Sequence, residues 1–277
     1  SSATTVMVVS FVNAGLLTLI ESIGVIMGAN LGTTMTAWII AAVGKFSLSD
    51  VAIPIIGIGL PLFFAGRNRW KNFGEILIGF GLLFYGLYLL KESVPDVKGM
   101  LTSTDPLVQE RARDIQSFVN NFSGMGYLSV IVFLVLGILL TLVVQSSSAA
   151  MAITVTMAIQ GWIGFEESAA IVLGENIGTT VTAWLASIGT AVNAKRAARA
   201  HFLFNVLGVL WMLVLFYPFS RGVVWLGSQL PESVRGTDQS TEIGFQLAIF
   251  HSLFNFTNIL LLVGFIPQLA ALVTRWI

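Results

Sequence analysis

Apolar residues run through this chain in long stretches separated by short polar segments. The stretches 22–43, 51–66, 73–90, 200–219 and 243–265 are candidate crossings of a ~30 Å hydrocarbon layer at ~1.5 Å per helical residue, some of them tilted or broken. Residues 167–190 form another candidate, and 128–160 is apolar but interrupted at its centre. Polar breaks fall at 45–50, 67–71, 193–199 and 220–242, the last two read as a basic and a mixed polar loop. Only 91–126 is a sizeable water-exposed segment. Within it Val108, Ala112, Ile115 and Val119 recur at helical spacing opposite Glu110, Arg111, Arg113 and Asp114, which predicts an amphipathic helix lying on the surface or packed on the protein. The pattern as a whole predicts an all-α integral membrane protein.

The polar residues inside the apolar stretches are not scattered. Residues 1–38 and 147–184 align without a gap at an offset of 146, with identity at 15 of 38 positions. Most identities are Gly, Ser, Thr, Asn or Glu, and the densest match sets GANLGTTMTAW (28–38) against GENIGTTVTAW (174–184). A duplicated membrane unit with small polar residues at matched places is the pattern of a secondary transporter whose site lies at the repeat interface. If each Ser-rich element is a re-entrant hairpin, three crossings (22–43, 51–66, 73–90) separate the two. An odd number makes the copies inverted. The expected architecture is two inverted repeats, each a re-entrant hairpin plus a broken transmembrane helix: repeat 1 over 1–90 with its N-terminal part incomplete, a connector over 91–126, and repeat 2 over 127–277.

Charge adds an orientation. Loops 67–71 and 191–199 carry Arg67, Arg69, Lys71, Lys195, Arg196 and Arg199 with no acid, whereas the opposite loops mix both signs. Short basic loops stay in the cytoplasm, so the reading is a multi-pass protein of the plasma (inner) membrane. The chain is 56% hydrophobic and 10% charged with mean hydropathy +0.87, far from a soluble domain. Zero net charge gives no reason to expect nucleic acid as a partner, and zero Cys excludes disulfides and thiolate metal sites.

Four motifs carry candidate chemistry. Gln145, Ser146, Ser147 and Ser148 interrupt the apolar run 128–160. Non-helical backbone at membrane depth survives only when buried in protein or lining a cavity, and a hairpin tip would present a helix N-terminus that favours an anion. The alternative is hydroxyls bonded back to their own helix. Gly28, Asn30, Gly32, Thr33 and Thr34, with Gly174, Asn176, Gly178, Thr179 and Thr180, sit mid-span in their crossings. Glycines four apart weaken a helix, and the oxygens beside them suit Na⁺ where the ladder opens; the alternative is a small-residue face for close helix contact. Glu175, opposite Ala29 in the first copy, is an intramembrane acid, functional by default or structurally hydrogen-bonded. His201 and His251 each begin H-x-L-F-N, read as polar glue between helices, or next as support for the site.

QSSS followed by GENIGTT, with a second partial copy and with HFLFN and AIFHSLFN downstream, resembles the type II sodium–phosphate cotransporter family, including its bacterial members. The resemblance implies import of inorganic phosphate by alternating access with Na⁺ as coupling ion, no organic cofactor and no transition metal. It places Gln145, Ser146, Ser147 and Ser148 at one hairpin tip and Ser1 and Ser2 at the other. The Gln and first Ser of the first copy would precede residue 1, so residues 1–277 alone are expected to transport poorly. Read from the residues alone, the anion stays open, with a dicarboxylate or sulfate as alternatives to phosphate. A further alternative is an intramembrane hydrolase pairing one of Ser146–Ser148 with His201 or His251.

Overall fold

The computed structural model describes residues 2–43, 48–65, 67–231 and 239–277, and every regular element among them is helical. In chain order these are α1 (Ser2–Asn13), α2 (Leu19–Val43), α3 (Leu48–Ala65), α4 (Arg69–Ser93), α5 (Val97–Leu101) and α6 (Pro106–Asn120). Then follow α7 (Tyr127–Val144), α8 (Ser147–Ile159), α9 (Phe165–Gly178), α10 (Thr180–Ala186), α11 (Val192–Ser228), α12 (Gln239–Leu262) and α13 (Ile266–Trp276). Among the described residues five helical stretches are long and apolar enough to cross a membrane: Leu19–Ala42, Arg69–Leu101, Tyr127–Val144, Val192–Ser228 and Glu242–Trp276. Ser1, residues 45–47 of the break at 45–50, and the acidic residues Glu232 and Asp238 lie outside the described residues.

The duplicated sequence folds twice into the same local structure. After α1 the N–H of Gly15 bonds the carbonyl of Val12 and that of Leu16 bonds Phe11; after α8 the N–H of Gly161 bonds Ala158 and that of Trp162 bonds Met157. This is the Schellman pattern of helix ends, and it needs a left-handed residue, supplied by Gly15 at φ 74° and Gly161 at φ 82°. α2 and α9 then start at equivalent positions, Leu19 and Phe165.

Contacts at the helix ends fix which termini lie together. The Asn13 side chain at the end of α1 accepts a hydrogen bond from the Ala191 N–H just before α11. At the other end of α2, Ala41 lies against Gly244 of α12, which also adjoins Ile159 at the end of α8. Gln160 joins that second end to the connector through its Nε2, which donates to the carbonyls of Lys91 and Val94, and Trp162 Nε1 donates to the Pro95 carbonyl at 2.9 Å. The start of α7 meets the start of α9 in the same region, where Gly126 and Ser129 share a small cleft with Glu166 and Glu167. α7 and α8 therefore form a hairpin whose two outer ends lie together, with its tip at Gln145 and Ser146. Gln145 turns the chain at φ 56°, and the Ser146 hydroxyl caps α8 by accepting the Ala149 N–H.

Helices packed within lipid gain nothing from expelling water from one another, so close backbone approach carries the contact. α7 and α9 achieve it through glycine. A Cβ on Gly137 would strike the carbonyl of Ile171, one on Gly174 would strike that of Leu134, and one on Gly178 would come within 2.7 Å of Thr141 Cβ. Polar pairs join other helices: Trp38 Nε1 donates to Ser252 Oγ at 2.8 Å, Trp211 Nε1 to Asn258 Oδ1 at 3.1 Å, and Asn258 Nδ2 to the Phe204 carbonyl at 3.2 Å.

Three expectations need correction. The crossing at 28–34 is not broken: α2 runs unbroken through it, and Asn30, Thr33 and Thr34 satisfy their side chains on the carbonyls of Ile26, Ala29 and Leu31, so their presence does not require an open ladder. Gly28 and Gly32 are ordinary helical positions rather than hinges, and in the second copy the interruption amounts to one residue, Thr179, which keeps helical dihedrals between α9 and α10. The basic segment 193–199 is the first two turns of α11 rather than a loop, held by Ala194, Ala197 and Ala198 buried against α1. The segment 220–242 is likewise helical up to Ser228, because Ser220, Val223 and Gly227 continue a buried face at three- and four-residue spacing. The amphipathic helix of the connector is α6. It is capped by Asp105 with Pro106 in its first turn, and turns Ala112 inward.

Candidate functional site

The N-terminal ends of hairpin helices leave backbone N–H groups without helical partners, so the tip of α7–α8 is where polar chemistry concentrates. Its serines do not converge. Ser146 is spent on the cap, Ser148 Oγ meets Thr36 Oγ1 of α2 at 3.3 Å, and Ser147 alone turns into the protein. Gln145 is exposed at the tip.

Ser147 enters a cleft lined by Asn30 and Thr33 of α2, Met151 of α8, Glu175, Asn176 and Thr179 of the α9–α10 crossing, and His251 of α12. The two copies of the duplicated motif thus meet at one place, each contributing its Asn and its first Thr. The cleft is small: about 10 Å³, room for about one water. No Lys or Arg lines it.

Hydrogen bonding divides the lining into committed and available groups. Asn30 Nδ2 donates to Ile26 and Asn176 Nδ2 to Val172, the same bond in both copies, which leaves each Oδ1 free of that bond. Thr34 and Thr180 each bond back three residues and stay with their own helices. At the next pair the copies part. Thr33 bonds back to the Ala29 carbonyl, whereas Thr179 Oγ1 is buried with no partner. Where the first copy has Ala29, Glu175 is 2% exposed and holds Thr154 Oγ1 through Oε1 at 2.6 Å, with Oε2 unpartnered. His251 Nδ1 is unpartnered as well. Buried polar atoms without partners are costly, and a buried carboxylate more so, unless a ligand or proton completes them. A carboxylate oxygen, two hydroxyls and two amide oxygens form a hard-oxygen set, the chemistry of a small hard cation rather than a transition metal.

The sequence reading missed Thr154, the partner of Glu175. Its signal is spacing: Thr154 lies seven residues after Ser147, on the same face of α8. Ser2, expected at the tip of a first hairpin, does not line this cleft, and its buried Oγ has no partner among the described residues. The two H-x-L-F-N motifs keep their Asn for themselves, Asn205 and Asn255 donating to the carbonyls of His201 and His251. Polar contact between helices is made instead by Ser252, the second residue of the second motif, and by Asn258, which donates to the carbonyl of Phe204 in the first.

A second, larger cavity of about 600 Å³ opens at the connector end, between the α8–α9 turn, α6 and α12, with Lys98, Gln116, Glu167, Glu242 and Gln246 in its wall. Gln246 lies five residues before His251 on α12, about 7.5 Å along the helix.

The sequence profile of the Na⁺/Pi-cotransporter family matches residues 1–92 and 97–224. The chain is 32% identical over 263 residues to the uncharacterized protein YqeW of Bacillus subtilis, covering 94% of this chain and 74% of that one. It is 29% identical over 278 residues to the "Putative inorganic phosphate export protein YjbB" of Salmonella typhimurium, covering 99% of this chain and 45% of that one. It is 34% identical over 147 residues to the sodium-dependent phosphate transport protein 2C of Rattus norvegicus, covering 50% of this chain and 24% of that one. The chain thus spans less than half the length of both relatives named for phosphate. No solved structure matches it.

Proposed function

The chain belongs to the Na⁺/Pi-cotransporter family, and from that premise we propose that it forms the ion- and phosphate-handling core of a sodium-coupled phosphate transporter. One observation carries the reading: the cleft gathers Asn30 and Thr33 from one copy of the motif with Ser147, Glu175, Asn176 and Thr179 from the other. A site built at such a junction is exposed to opposite sides when the two copies rock against each other.

In this reading Na⁺ is held by Glu175 Oε2, Thr179 Oγ1 and the amide oxygens of Asn30 and Asn176. The cleft has no Lys or Arg, so Na⁺ supplies the positive charge that lets an oxyanion approach Ser147 and the first turn of α8. The chamber at the connector end is the approach from that side, and the cleft, with room for about one water, is the closed stage of the cycle.

Two inverted copies are the arrangement this reading needs. What favours it is that α1 ends beside Ala191, whereas α8 ends beside Gly244 and the connector, at the other end of α2. The basic residues of 67–71 and of the first turns of α11 favour a plasma-membrane protein with those segments in the cytoplasm.

Relatives carry names of both directions, sodium-dependent transport and export; the reading taken for this chain is Na⁺-coupled import. A divalent phosphate entering against ~100 mV, inside negative, costs about 4.6 kcal/mol at about 2.3 kcal/mol per charge. Coupling to two Na⁺ would cancel that charge and a third would make uptake electrogenic, so an inward Na⁺ gradient can meet the cost of import. The binding half of the proposal is tested by thermal unfolding in detergent. Na⁺ should raise the melting temperature where K⁺ does not, and phosphate should raise it further only with Na⁺ present. Equal melting in Na⁺ and K⁺ would remove the assignment.

A further inference from the structure

α11 is longer than a membrane is thick. Its 37 residues span about 55 Å, against a hydrocarbon layer of about 30 Å. No charged residue lies between Arg199 and Arg221, which are about 33 Å apart along the helix. That places Arg199 at one membrane interface, the end of the molecule where Asn13 meets Ala191.

At this level α10, α11 and α13 enclose a cleft of about 320 Å³. Its wall is apolar (Val181 and Trp184 from α10, Ala198 and Phe202 from α11, Trp276 from α13), and Arg199 stands at its rim. Trp184 and Trp276 are each 54% exposed, as indoles at a headgroup layer are. The Arg199 guanidinium lies over the Trp276 ring at 5.9 Å and donates to its carbonyl, which fixes its plane beside the opening. Arg196, one turn away, donates to the Ile277 carbonyl and to Asn193, and its Nε is buried with no hydrogen-bond partner. Lys195 and Arg275 add two more positive charges on neighbouring turns. Glu21, the acid of the adjoining α1–α2 turn, is held by the N–H and hydroxyl of Thr18.

We propose that this cleft binds an anionic phospholipid, its phosphate on Arg196 and Arg199 and an acyl chain laid along Val181, Trp184 and Phe202. Charge complementarity selects the anionic headgroup, because the rim is basic and a planar guanidinium suits a phosphate diester. The apolar wall selects a lipid over free phosphate, which has nothing to place against it. The site lies between the α9–α10 crossing and α11, so a bound lipid would tie together two elements that have to shift in an alternating-access cycle. The inference rests on the chain being membrane-embedded and is independent of what it carries.

The experiment is lipid retention by native mass spectrometry, with the 277-residue chain in uncharged detergent titrated with phosphatidylglycerol or phosphatidylcholine. Phosphatidylglycerol should bind at least tenfold more tightly than phosphatidylcholine, and millimolar inorganic phosphate without Na⁺ should not displace it. The pair R196Q/R199Q should lose at least tenfold in affinity, whereas R67Q/R69Q, in the other basic segment, should not. Val181→Trp fills the apolar wall while leaving both arginines, and should lower affinity even if R196Q/R199Q folds poorly. Equal binding of the two lipids, native affinity in Val181→Trp, or displacement by inorganic phosphate would each overturn the proposal, the last by making this a site for free phosphate.

Discussion

Thr154 donates to Glu175 Oε1 at 2.6 Å, tying the second limb of a hairpin to the crossing that follows it and leaving the other carboxylate oxygen buried without a partner in a residue that lines the cleft. The bond orients the acid without using it up. If Oε2 is a cation ligand, Glu175→Gln should weaken the Na⁺-dependent rise in melting temperature at least tenfold in midpoint concentration while the protein stays folded. Thr154→Val should weaken it less, since the ligand remains and only its orientation is lost. A Glu175→Gln protein with native Na⁺ dependence would reduce the acid to a structural role.

The two copies predict opposite responses to one substitution. A Cβ at Gly174 strikes the Leu134 carbonyl, and one at Gly28, its counterpart, has nothing within 4 Å. Gly174→Ala should cost about 1–3 kcal/mol through overpacking, visible as a lower melting temperature. Gly28→Ala in the 277-residue chain should be neutral or stabilising by up to about 1 kcal/mol, as for any helix-interior glycine. Equal destabilisation at both sites would contradict the packing of α7 on α9.

Much of this was legible in the sequence. The offset of 146 pairs Gly15 with Gly161, whose matching Schellman turns the sequence reading did not place, and of the two GxNxGTT motifs Asn30, Thr33, Glu175, Asn176 and Thr179 line one cleft. What could not be read was how each polar side chain is satisfied. Asn30 and Thr33 beside paired glycines suggest an opened helix in a string of letters, yet their side chains are satisfied by carbonyls of their own turn and α2 is whole. Gly174 and Gly178 have the spacing of a hinge and of a packing face alike, and only the position of Gly137 on the facing helix decides for packing. Thr154 carries no motif, and becomes visible only once α8 is set against α9.

The serines should separate by role. Ser147 lines the cleft and Ser148 bonds Thr36 outside it. Ser147→Ala should abolish phosphate-dependent stabilisation in Na⁺. Ser148→Ala should retain it, with a stability loss of about 0.5–1.5 kcal/mol for one hydrogen bond. The reverse ranking would place the anion on the side of the hairpin where Ser148 meets Thr36.

Orientation is tested with single cysteines in this cysteine-free chain. Positions Asn68 and Asn193 should both resist an impermeant thiol reagent applied outside intact cells, and Ser103 should react. Opposite labelling of Asn68 and Asn193 would break the inverted arrangement.

Sodium-coupled movement of phosphate is the central claim, and uptake of radiolabelled phosphate into proteoliposomes tests it most directly. The protein should be a chain extended to the full length of its phosphate-named relatives, with the 277-residue chain beside it. An inward Na⁺ gradient should drive accumulation that an equal K⁺ gradient does not, and Asn176→Ala should abolish it. Accumulation that is the same from Na⁺ and K⁺ media, or that survives Asn176→Ala unchanged, would contradict the account.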